Sequence, residues 1–188
     1  MADIRTFIAI NLNSEIKNAI SKTVEQASRI MPGIKWICDE DLHITLKFLG
    51  DVEENRIVEI NDAISEALTN LPQFEISLAE IGAFPSSHRA NIIWIGIDSG
   101  KDVLINLVGS IDNCLRKLGF MPENKLFSAH ITIGRVKDPS KHRIIEEAFS
   151  SLEVNLPCSQ MVESIDIMRS KLTSTGSIYS VIKKIILK

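Results

Sequence analysis

The 188-residue chain is 45% hydrophobic and 24% charged, with a formal net charge of −3. That composition suits one folded domain with a substantial core, and no stretch reaches the roughly 20 apolar residues of a membrane span. The slightly acidic balance argues against a protein that tracks a long nucleic-acid backbone, yet leaves room for a locally basic pocket taking a single phosphate.

In chain order, Phe7–Leu12 predicts a buried strand. Ile16, Ile20, Val24 and Ala27 then recur at helical spacing across Glu15–Arg29, behind an Asn13-Ser14 cap and ahead of Pro32-Gly33. His43–Leu49 predicts a strand closed by Gly50-Asp51. Ile57, Ile60, Ile64 and Leu68 mark a second helix, and strands are expected at Phe74–Ala83 and Ile92–Ile97. A third helix carries Val103, Leu104, Leu107, Ile111 and Leu115. The chain closes with a strand at His130–Val136, a short helix around Ile144, Ile145, Ala148 and Phe149, and strands at Met161–Met168 and Ile178–Leu187.

The second half repeats the first. His130 lies 87 residues after His43, and the same offset carries Phe74 to Met161 and Ile92 to Tyr179. The expected architecture is therefore α+β: a bilobal, pseudo-two-fold duplicated fold. Two antiparallel sheets face a central cleft, with helices on their outer faces. The chain reads as one domain, 1–188, with repeats of approximately 1–91 and 92–188, the Ile92–Ile97 strand serving both.

Chemistry concentrates in His43-Ile44-Thr45-Leu46 and His130-Ile131-Thr132-Ile133. Alternation on a strand puts each histidine on the same face as the threonine two residues on, with the apolar residues opposite. Two such faces bring two imidazoles and two hydroxyls to one volume. Histidine titrates near neutrality, so one ring can take a proton while the other gives one. The hydroxyls can donate to phosphate oxygens. That set suits in-line attack on a phosphodiester. Lys47 shares the parity of His43 and is expected at the cleft rim. Trp36 and Trp94 read as core aromatics, His88 and His142 as surface residues, and Asp39-Glu40-Asp41 as a solvated turn. The scattered Cys38, Cys114 and Cys158 form no Cys-x-x-Cys pair and read as free thiols of a reducing compartment. With no leader pattern at the N-terminus, the expected location is the cytoplasm. The two motifs supply no third metal ligand, so neither metal nor cofactor is expected.

The segment Leu42–Gly50 (Leu-His-Ile-Thr-Leu-Lys-Phe-Leu-Gly) resembles the first signature of the 2H phosphoesterase superfamily, in its LigT-like branch of RNA 2′,3′-cyclic phosphodiesterases, also called 2′-5′ RNA ligases. His130-Ile131-Thr132-Ile133-Gly134-Arg135 resembles the second signature. Ala129 stands where the family usually has proline. The Arg5-Thr6-Phe7-Ile8-Ala9 opening, Trp36, and Gly82-Ala83-Phe84-Pro85 with Arg89 and Trp94 extend the likeness along nearly the whole chain. The resemblance implies metal-independent cleavage of an RNA-terminal 2′,3′-cyclic phosphate to a 2′-phosphate, with reversible 2′-5′ joining of RNA ends by the same site. It implies Thr45, Thr132 and Arg135 on the phosphate; His130 is assigned as general base and His43 as general acid, a direction that a pseudo-symmetric site leaves open either way. It adds Phe48 stacking on a base and Arg5 near the site. Strict alternation sends Phe48 and Arg135 to the wrong face, so both roles require a bulge or strand end first. The partner is then an RNA 3′ end or a small cyclic nucleotide, met by a monomer. Other readings are the same chemistry on a small substrate such as a cyclic phosphate of ADP-ribose, and a non-catalytic module that binds RNA ends.

Overall fold

The computed structural model describes residues 3–151, 156, 158–174 and 176–188. Among them the chain forms nine strands and four α-helices. These are β1 (Asp3–Asn11), α1 (Ser14–Ile30), β2 (Lys35–Trp36), β3 (His43–Glu53), α2 (Ile57–Ala67), β4 (Phe74–Phe84), β5 (Ile92–Ile97), α3 (Lys101–Arg116), β6 (His130–Arg135), α4 (His142–Ser151), β7 (Ser159–Val162), β8 (Ser164–Leu172) and β9 (Ser177–Ile186). No helix among the described residues is long and apolar enough to cross a membrane.

The strands build one curled antiparallel sheet in the order β7-β4-β5-β6-β3-β1-β8-β9, with β2 added against β6. The two expected sheets are its halves, joined where Ile44 of β3 pairs with Ile131 of β6. Outward from that seam, β6, β5 and β4 mirror β3, β1 and β8. The offset of 87 carries β1 onto β5, α1 onto α3, β3 onto β6, α2 onto α4 and β4 onto β8. The copies interlock. β4 follows β3 in sequence but pairs with β5 and β7, while β8 follows β6 but pairs with β1. The helices cross over likewise, α2 lying beside α3 and α1 beside α4.

Each helix buries the stripe its spacing marks. The Asn13 side chain accepts a hydrogen bond from the Ile16 amide at 2.8 Å and caps α1, which buries Ile16, Ile20 and Ala27. Ile57, Ile60 and Ile64 of α2 and Leu104, Leu107, Ile111 and Leu115 of α3 join the same core, against Ile8, Ile10, Ile44, Ile93, Ile95 and Ile131 of the sheet. The helices thus cover one face of the sheet. The opposite face carries a small buried apolar cluster of Phe7, Ala9 and Met168, with Tyr179 against it.

Three strand expectations change. β3 does not close at Gly50. That glycine takes φ +75° and the strand pairs on to Glu53. The segment Met161–Met168 is two strands, because the chain leaves its partner β4 at Val162, pairs with β9 from Ser164 and joins β1 from Asp166. The break falls at the polar pair Glu163-Ser164. The two-residue β2 is too short to show a period.

Candidate active site

The seam between the halves sets the geometry. Continuing the Ile44–Ile131 register one residue each way places His43 opposite Thr132 and Thr45 opposite His130. Ile44 and Ile131 are fully buried toward the helices, so all four flanking side chains point to the other face, where each is half-buried. The two histidines are then diagonal neighbours across an antiparallel pair, a spacing of roughly 7–8 Å that admits one phosphate between the rings. Among the described residues neither threonine hydroxyl has a hydrogen-bond partner in the protein, which leaves both free for a ligand.

The imidazoles are held alike. His43 Nδ1 lies 2.7 Å from the Asp41 carbonyl oxygen, and His130 Nδ1 lies 2.7 Å from the Ser128 carbonyl oxygen. A carbonyl only accepts, so each Nδ1 carries the proton and each Nε2 is left to exchange protons with a ligand. Burial pushes the proton affinity of His43 below that of an ordinary histidine. The bond to Asp41 opposes this, and the nearby charges of Lys17, Arg135 and His130 add to the lowering.

Both strands bulge at equivalent positions. On β3, Thr45 pairs with Ala9 but Lys47 pairs with Ile8, so Leu46 is one residue too many. On β6, Thr132 pairs with Trp94 but Gly134 pairs with Ile93, so Ile133 is the extra residue. Each bulge reverses the alternation beyond it. Leu46 and Lys47 are both buried, as are Ile133 and Gly134, and the next residue on each strand, Phe48 or Arg135, returns exposed to the histidine face. Phe48 is 62% exposed, its ring 6.0 Å from that of Phe7, which in turn lies 5.1 Å from the His43 ring. Gly134 fits its bulge because a Cβ there would stand 3.1 Å from Ile34 and Trp36 atoms.

Lys47 corrects the sequence expectation. The bulge turns it away from the cleft rim and into the core, where it is 2% exposed. Its Nζ donates to Asp112 Oδ1 of α3 at 2.5 Å and to the Met121 carbonyl at 2.9 Å. Arg5 is exposed on the same side of β1 as Phe7, farther from the seam. Arg89 is exposed in a short 3-10 helix, where neighbouring His88 pairs with Glu146 at 2.8 Å. Trp36 packs against the core as expected. Trp94, expected in the core, stands instead with Phe84 (centroids 5.1 Å), whose ring meets His130 edge-on at 5.1 Å. The cause is register: Trp94 pairs with Thr132 and so faces the cleft.

Sequence reasoning left four cleft features unassigned. Phe7 and Tyr179 pack on His43, Phe84 packs on His130, and Asn11, the register partner of His43, donates to Asp166 Oδ2 at 2.7 Å. Asp166 is 1% exposed. The repeat offers a signal for Phe7 alone, since its position maps onto Trp94. Among the described residues no three His, Cys, Asp or Glu side chains gather as a set of metal ligands.

A family model described as LigT-like phosphoesterase matches the chain twice, over residues 10–94 and 95–179. Similar curated proteins include the RNA 2′,3′-cyclic phosphodiesterases of Thermotoga maritima and Methanocaldococcus jannaschii. The first is 36% identical over 181 residues, covering 95% of this chain and 92% of the relative. The second is 36% identical over 180 residues, covering 96% and 99%. Among solved structures, TT0787 of Thermus thermophilus superposes with a TM-score of 0.79 at 23% identity over 97% of each chain. E. coli LigT complexed with 3′-AMP gives 0.77 at 21% over 99% of each. Both share the fold.

Proposed function

The chain belongs to the LigT-like phosphoesterase family, and from that premise we propose that it hydrolyses the 2′,3′-cyclic phosphate at an RNA end to a 2′-phosphate and a free 3′-hydroxyl. The observation that carries this reading is the meeting of two His-x-Thr faces at the seam, each imidazole tied through Nδ1 to a carbonyl with Nε2 left to the cleft. The relatives named as RNA 2′,3′-cyclic phosphodiesterases support the substrate class.

His130 Nε2 takes a proton from water as the water oxygen attacks phosphorus. The P–O3′ bond breaks on the opposite side, and O3′ takes the proton held by His43. Water has then been added across the ester, and the two rings restore their protons through solvent. Thr45 and Thr132 donate to the non-bridging oxygens, Arg135 supplies the cation beside them, Phe48 stacks on the terminal base and Arg5 lies further along the cleft. Burial of His43 makes its protonated form a stronger acid toward O3′, and the arriving phosphate anion supplies the opposite charge that restores its proton. A 5′-hydroxyl in place of water gives 2′-5′ joining by the same displacement. The cyclic ester is strained, and no step in this scheme passes through a metal. The net charge of −3 favours short ends over long RNA.

The test is a short RNA ending in a 2′,3′-cyclic phosphate, incubated with the protein in excess EDTA and followed by phosphorus NMR. The expected product is the 2′-phosphate at an undiminished rate. A 3′-phosphate product, or no turnover by folded protein, contradicts the proposal.

A further inference from the structure

Tyr179 is the single tyrosine of the chain, on edge strand β9. Its ring meets His43 edge-on, with centroids 5.2 Å apart at 83°, and meets Phe7 at 5.2 Å and 74°. It is half-buried on the cleft face, and among the described residues its hydroxyl has no hydrogen-bond partner in the protein. A half-buried phenol commonly finds a partner for its O–H. Here the ring packs against His43 and Phe7 on the cleft face.

The seam repeats nearly everything about the site: His43 with His130, Thr45 with Thr132, one carbonyl tether with the other, one bulge with the other. Tyr179 breaks that likeness. Its equivalent 87 residues earlier is Ile92, and the ring standing edge-on to His130 is Phe84, which has no hydroxyl. A pseudo-symmetric pair of acid–base groups can run in either direction unless something distinguishes the two sides. The hydroxyl on the His43 side is such a distinction.

We propose that Tyr179 is a further catalytic residue, its hydroxyl donating a hydrogen bond to O3′ as that oxygen leaves phosphorus, beside the proton transfer from His43. This rests on the cyclic-phosphodiesterase reading above. The P–O3′ bond electrons go to O3′, the proton comes from His43 Nε2, and Tyr179 keeps its own proton throughout. The hydroxyl thereby marks the His43 side as the leaving-group side. A bond that strengthens only as charge develops on O3′ acts on kcat rather than on ground-state binding.

The experiment is Tyr179→Phe, which keeps the ring against His43 and Phe7 and removes one oxygen. It is assayed beside wild type on an RNA ending in a 2′,3′-cyclic phosphate, with the thermal midpoint of each protein recorded. The expected result is a fall in kcat of about tenfold or more with KM and thermal midpoint little changed. Wild-type kinetics in the variant overturn the inference while leaving the phosphodiesterase reading intact. A raised KM at unchanged kcat also overturns it, since the hydroxyl then contacts bound substrate and not the leaving oxygen. An inactive wild type overturns the phosphodiesterase reading itself.

Discussion

His43 and His130 share a sequence context, a tether and a strand position, yet their surroundings differ. His43 is boxed by Phe7 and Tyr179, while His130 meets the single ring of Phe84. A buried imidazole holds its proton less well, because the charged form is the one that loses hydration. An NMR titration of the free protein is therefore expected to show His43 with a midpoint below the ordinary value of about 6.5. Binding a 2′-phosphorylated mononucleotide adds negative charge beside the ring, favours the protonated form and moves that midpoint up. A midpoint at or above the ordinary value in the free protein, or a fall on binding, contradicts His43 as the acid beside the phosphate. At this scale the sequence was highly legible. His-x-Thr twice, with apolar residues between, is enough to place four side chains on one face. The aromatic box was not legible, because Tyr179 reaches His43 across β8 and β1 from the far edge of the sheet.

Among the elements, strand parity carried the inference until the bulges. Counting by twos sends Lys47 to the cleft and Phe48 and Arg135 to the core, and the structure reverses all three. A bulge depends on how two strands share hydrogen bonds, so only the requirement for one, and not its position at Leu46 and Ile133, follows from the sequence. The reversal gives Lys47 a structural task. Its ammonium joins β3 to α3 through Asp112 and to the Met121 carbonyl in the segment leading to β6. Lys47→Ala strips a half-buried carboxylate and a carbonyl of their partner. It is expected to lower unfolding free energy by about 2–3 kcal/mol, discounted from the fully buried case because Asp112 is partly exposed. Urea denaturation measures this, and a loss under about 0.5 kcal/mol would show the pair to be dispensable. The split of Met161–Met168 into β7 and β8 falls at the polar pair Glu163-Ser164, where the strand changes partner, a change that depends on how strands pair and not on local spacing.

Across the whole molecule, the repeat was visible as an offset and the Ile92–Ile97 strand shared by both copies pointed to interlocking, but which strands exchange partners was not visible. A tandem duplication could fold as two separate lobes. Here β4 of the first copy finds its partners β5 and β7 in the second, and β8 of the second covers the edge of β1 in the first. The crossed helix pairs, α1 with α4 and α2 with α3, add the same dependence. Residues 1–91 alone leave β4 without a partner strand and one edge of β1 open. That fragment is expected to show no cooperative thermal transition by circular dichroism, and to gain one only when 92–188 is added. A cooperative melt of the isolated fragment would contradict the interlocked fold. The exchange of strands also makes the site a property of both copies, with one histidine and one threonine from each.

That shared ownership is the central claim, and single-turnover rates of His43→Ala, His130→Ala and the double variant on cyclic-phosphate-ended RNA test it most directly. Each single substitution is expected to cost about 10²–10⁴-fold, and the double variant little more than the worse single, because an acid and a base serving one displacement fail together. A single variant that keeps near wild-type rate, or losses that multiply in the double, would contradict a two-histidine site built across the seam.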